Sequence, residues 1–154
     1  MTNHKEGRAM KKAFSAILTI LCVFLLTPAG STDVGDLVAE GKELMKYSQQ
    51  LIDKGEMLKA YKDQDKTWLV DQGNQIVKEG TGIMEKGEMM SSGPGRSNTQ
   101  EVGEEMRKAG NLLLEMGKKK DPLTEKDKEK IVKKGETMIG LGKLKLEEAK
   151  TMAP

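Results

Sequence analysis

The stretch Gly73–Met90, "GNQIVKEGTGIMEKGEMM", decides the fold. It sets glycine at 73, 80 and 87, once per heptad, among residues that otherwise favour helix. Apolar residues stand three and four positions after each of the first two glycines: Ile76 and Val77, then Ile83 and Met84. That spacing puts them on one helical stripe, with the glycines forming a small-residue edge beside it. A glycine inside a helix costs about 0.5–1 kcal/mol relative to alanine, so a regular series of them needs an offsetting gain.

The pattern extends through most of the chain. Twelve small residues share the heptad position a: Gly41, Ser48, Gly55, Gly73, Gly80, Gly87, Gly103, Gly110, Gly117, Gly135, Gly142 and Ala149. Apolar residues recur at d and e, as Leu44 and Met45, Leu51 and Ile52, Leu69 and Val70, Leu113 and Leu114, Ile131 and Val132, Met138 and Ile139. The ten glycines together cost on the order of 5–10 kcal/mol, comparable to the stability of a whole domain. Close approach of helix backbones, nearer than the usual 8–10 Å, is the gain expected to offset that. The twelve residues are therefore the candidate site, a seam on which two helices pack.

The small positions repeat at an offset of 62. Gly41, Ser48, Gly55, Gly73, Gly80 and Gly87 map onto Gly103, Gly110, Gly117, Gly135, Gly142 and Ala149. An 18-residue gap recurs in both halves, from Gly55 to Gly73 and from Gly117 to Gly135. This is the signature of a duplicated two-helix unit. Breaks separate the helices. "SSGPGRSN" (91–98) interrupts the pattern, with Ser97 or Asn98 expected to cap the next helix. "KKKDPLTEKD" (118–127) combines Asp121-Pro122 with Thr124 and Asp127, a stop followed by a capped start. "LKAYKDQDKT" (58–67) is a polar gap without Pro or Gly, and "STD" (31–33) supplies caps for the first helix.

These signals predict an all-α fold with helices near 33–62, 66–91, 98–119 and 123–152. The expected arrangement is an antiparallel four-helix one built from two similar helical hairpins, 32–92 and 98–154, joined by a linker at 93–97. Within the first hairpin, Gly41, Ser48 and Gly55 would then face Gly87, Gly80 and Gly73. The alternative is one long two-helix hairpin folded at Gly93–Gly95. There Gly41 would face Ala149 and Gly55 would face Gly135. Eighteen residues make five helical turns, so the stripe stays in phase across the gap in either case. Pro122 and the polar gaps favour four helices.

Residues 1–31 read as a signal peptide, with 1–9 as an upstream extension if translation starts at Met10. Arg8, Lys11 and Lys12 precede an apolar run, Ala13–Leu26, and "TPAGS" offers cleavage after Ala29 or Ser31. The run is shorter than the roughly 20 residues that span a bilayer, and an uncleaved anchor is the alternative. Cys22 lies inside the run without the small residues of a lipobox before it. Without this segment the chain carries 22 basic and 23 acidic residues and loses its only His (His4) and its only Cys (Cys22). Near-neutral charge gives no argument for nucleic acid or for an anionic membrane.

The chemistry of catalysis finds little purchase. No imidazole or thiolate remains to activate a nucleophile, and Ser48, Ser91 and Ser92 have no context that singles out a Ser–Lys pair. No Glu-x-x-His, phosphate loop or dinucleotide fingerprint occurs. Glu104–Glu105 and Glu147–Glu148 read as solvated helix faces with partners such as Lys108. Nine Met remain after the leader. Met45, Met84, Met90, Met106, Met138 and Met152 lie on the d/e stripe as adaptable core filler, whereas Met57, Met89 and Met116 lie off it.

The expected function is an exported, periplasmic or secreted, non-catalytic helical protein with a structural or protein–protein interaction role in the cell envelope. No catalytic, cofactor or metal residue is assigned. The partner is another protein or a second copy, with membrane contact only through an uncleaved leader. Two alternatives accompany it: a Met-based periplasmic copper binder and an amphipathic membrane-surface binder.

Overall fold

The computed structural model describes residues 34–154, so the expected signal peptide, its expected cleavage points and the expected caps at 31–33 lie outside the described residues. Four α-helices form: α1 Val34–Lys59, α2 Lys66–Met89, α3 Pro94–Lys118 and α4 Glu125–Met152. Among the described residues there is no strand, and no helix is long and apolar enough to cross a membrane. The helices pack as an antiparallel four-helix arrangement, with α3 also touching α1 across the core.

Local chemistry sets the helix ends. The gap after α1 closes on Tyr61, whose buried ring packs at a tilt of 37° against Trp68, centroids 5.9 Å apart, and whose hydroxyl donates to the Gln64 carbonyl at 3.2 Å. Asp65 caps α2 by accepting from the Trp68 N–H at 2.7 Å, a signal present in the sequence as an Asp just ahead of the apolar stripe. Thr124 and Asp127 form the expected capping box at the start of α4.

The segment 93–97 differs from the expected linker. Gly93 has a positive φ of 159° (ψ −167°), which L side chains rarely adopt, and α3 begins at Pro94 rather than near 98. Proline fits a first helical position, because its fixed φ is already helical and its missing N–H would be unpaired there anyway. Neither Ser97 nor Asn98 caps the helix. Both lie inside it, and the Asn98 side chain accepts from Lys145 at 2.9 Å.

The d positions make the core. Leu44, Leu51, Leu58, Leu69, Ile76, Met106, Leu113, Ile131 and Met138 are fully buried, and Ile83 nearly so. The e residues do something else: Met45, Ile52, Val70, Val77, Met84, Leu114 and Val132 are only half-buried. The single stripe of the sequence is thus two rows, one facing the bundle centre and one turned towards a neighbouring helix. On α3 the core is widened on the opposite side, where Val102, Ala109 and Met116 just precede the seam glycines and are fully buried. Met116 therefore belongs to the core rather than off it, because α3 meets α1 and α4 as well as α2.

Candidate functional site

The small residues line two seams, α2 against α3 and α1 against α4. In the first, a Cβ at Gly80 would lie 2.7 Å from the Gly103 carbonyl oxygen and 2.8 Å from the Arg107 nitrogen. A Cβ at Gly103 would lie 2.7 Å from the Gly80 carbonyl oxygen. Gly73 and Gly110 face each other in the same way, at 2.9 and 2.7 Å from each other's carbonyl oxygens. Gly87 lies against Gln100, and Gly117 against Val70 and the Lys66 carbonyl. In the second seam a Cβ at Gly55 would lie 2.8 Å from the Gly135 carbonyl oxygen, and one at Gly142 would lie 3.0 Å from the Ser48 carbonyl oxygen. Gly41 abuts Met152 and Ala153. Ser48 and Ala149 are fully buried at the two remaining seam positions.

Six of the notches left by glycines are filled by an apolar e residue of the opposite helix. Leu114 lies over Gly73, Val77 over Gly110, Met84 over Gly103 and Val70 over Gly117. Ile139 lies over Gly55 and Ile52 over Gly142. Half the apolar stripe therefore serves the seam, where dispersion contacts with backbone replace the lost Cβ.

The facing partners expected inside the first hairpin are not the ones observed. Gly73, Gly80 and Gly87 meet α3, and Gly41, Ser48 and Gly55 meet α4. Four helices form, yet Gly55 faces Gly135 as in the long-hairpin reading. The reason lies on the other edge of the stripe, one residue before each small position. Lys54 and Glu79 occupy that edge on α1 and α2 and pair at 3.1 Å, so these helices meet through long side chains and not through backbone. The complementary charges of Lys54 and Glu79 were the available sequence signal for this. Gly95, placed in the break by the sequence, is buried against the Glu40 side chain and belongs to no heptad row.

The buried charges are all engaged. Glu40 accepts from the Ser91 N–H at 2.9 Å and from the Ser91 hydroxyl, tying α1 to the end of α2. Asp127 accepts from the Thr124 N–H and hydroxyl, at 3.0 and 2.8 Å, and pairs with Lys119 at 2.6 Å. The hydrogen bond from Lys119, followed by those from Thr124, holds its carboxyl well below the usual range. Lys145 is 6% exposed and donates to Asn98 while pairing with Glu101 at 2.6 Å and Glu148 at 3.1 Å. Burial works against its charge, but the two glutamates outweigh it and raise its pKa. Glu104 pairs with Lys108 at 2.9 Å on an open face.

Two open grooves lie at opposite ends of the bundle. One of about 810 Å³ runs between the start of α1 and the end of α2, past Asp36, Glu43, Tyr47, Lys86 and Met89. Burial, then a hydrogen bond with Glu43, pushes the Tyr47 hydroxyl up to about 12. The other, of about 450 Å³, lies by Tyr61, Asp63, Lys128 and Val132. Of the methionines, Met106, Met116 and Met138 are fully buried, while Met89 is exposed on the rim of the larger groove. No family model, no curated protein and no solved structure matches this chain.

Proposed function

We propose that this chain is an exported, non-catalytic helical protein with a structural or protein–protein interaction role in the cell envelope. The observation that carries this reading is the use made of its buried charges. Glu40, Asp127 and Lys145 each clasp one helix end or face to another, so the polar chemistry inside the bundle serves rigidity. Outward, the helices present long faces of mixed Glu and Lys, suited to a partner protein rather than to a polyanion. The basic and then apolar N-terminal segment supports export.

Two measurements test it. Mass spectrometry of the protein recovered from fractionated cells should give a mature N-terminus at Gly30 or Thr32 in the envelope fraction or the medium. Intact chain held in the cytoplasm would overturn export. Photo-crosslinkers placed at exposed positions such as Lys78 and Lys143 should yield discrete protein adducts in that fraction. Adducts absent from every face would overturn the interaction role.

A further inference from the structure

The order of the helix pairs carries an inference that does not depend on the envelope role. Backbone meets backbone within α1·α4 and within α2·α3. Between these pairs the contacts at the edges are side-chain bridges, Lys54–Glu79 and Glu40–Ser91 on one flank, Lys134–Glu105 and Lys145–Glu101 on the other. Among the described residues the chain crosses between the two pairs at 60–65 and 119–124, and both crossings lie at the same end of the bundle. There Lys66 Nζ donates to the carbonyls of Lys119, Lys120 and Asp121, and Lys128 pairs with Asp63 at 2.6 Å. The molecule is two zipped helix pairs hinged along one line.

We infer that the hinge opens and that two copies of this chain exchange half-bundles, α1·α4 of one closing on α2·α3 of the other. The first hinge segment, "AYKDQD" (60–65), has neither Gly nor Pro. Eighteen residues from Gly55 to Gly73 are five helical turns, so a helix running through the gap keeps both seams on one face. The second hinge holds Pro122 and stays a break. The path from Gly110 to Gly135 is 25 residues, one heptad longer, and a loop near 118–125 absorbs that excess while both seams keep their registers. Opening therefore unzips neither seam. It uncovers the d rows of both pairs, Leu51 and Leu58 on one side and Leu69 and Ile76 on the other.

A lone opened copy would expose its whole core. A second opened copy presents the matching surfaces, and a two-fold exchange restores every core and flank contact between chains. Closed and exchanged forms differ only at the hinge. The closed form keeps the Lys128–Asp63 pair and the Tyr61–Trp68 ring contact, while the Lys66 bonds lie within the α2·α3 pair. The exchanged form gains helix through 60–65, and protein concentration sets the balance.

The test is refolding of an equal mixture of isotope-labelled and unlabelled full chain at low and high concentration. Species are separated by size exclusion with light scattering and joined with a zero-length carbodiimide. A dimer should grow with concentration, and within it the Lys54–Glu79 and Lys134–Glu105 links should join labelled to unlabelled peptides at the statistical level. Links in the monomer should all be like to like. Asp63→Ala with Gln64→Ala should raise the dimer fraction several-fold, and Lys62→Pro should lower it. Monomer at every concentration, or a dimer whose links all fall within one copy, would overturn the inference.

Discussion

At Gly80 a methyl group would meet the Gly103 carbonyl and the Arg107 nitrogen, both backbone atoms that cannot rotate away. At Gly82, two residues on, the same methyl would enter open space. Gly80→Ala should therefore lower stability by about 1–3 kcal/mol, as overpacking does. Gly82→Ala should raise it by about 0.5–1 kcal/mol, the ordinary gain of alanine over glycine in a helix. Urea unfolding of the two variants decides the matter, and equal shifts would reject close packing at the seam. Ser48 offers a second residue-scale test. Its hydroxyl is buried in the α1·α4 seam without a hydrogen-bond partner. Ser48→Ala keeps the Cβ and removes the unpaired group, so the midpoint should rise by an amount equivalent to about 1 kcal/mol. A fall would mean that the hydroxyl is engaged.

Among the elements, the start of α4 is the most strongly built, with Thr124, Asp127 and Lys119 joined in one clasp. Asp127 has a folded pKa below its ordinary 3.8, so its contribution is present above that value and is lost as pH falls through it and below. Thermal melts from pH 7 to pH 2 should show wild type above Asp127→Asn by a constant margin at neutral pH. That margin should narrow from about pH 4 downward. An unchanged margin at pH 2 would remove the carboxylate from the clasp. This box was legible in the sequence as Thr-x-x-Asp after a proline. The start of α3 was not, because Gly-Pro-Gly reads as a break and the proline itself opens the helix.

For the whole molecule, the question is which helices share a seam. Double-mutant cycles answer it, since substitutions couple when they lie in one packed contact and add when they do not. Gly80→Ala and Gly103→Ala should be strongly non-additive, because once α2 and α3 have spread the second methyl costs little. Gly80→Ala and Gly55→Ala lie in different seams and should add within about 0.5 kcal/mol. Coupling of Gly80 with Ser48 instead would restore the seam within the first hairpin. The core itself behaves simply: Leu113→Ala, at a fully buried d position, should cost about 2–5 kcal/mol. Leu144→Ala on the open side of α4 should stay within about 0.5 kcal/mol.

The sequence by itself determined the four helices, their d-position core and the twelve small residues on one edge of each stripe. The core and the small edge follow from periodicity, a property of one helix at a time, and the four-helix division from Pro122 and the polar gaps. Only the tertiary structure decided what lies against that edge. In an antiparallel bundle each helix has two flanks, one on each side of its core row. The direction in which the chain turns around the bundle assigns the glycine edge of α1 to α4 rather than to α2, and the Lys54 edge to α2. Both directions bury the same d residues, so the hydrophobic pattern cannot choose between them. The choice rests on backbone fitting backbone along the seams, while paired long side chains hold the other flanks apart.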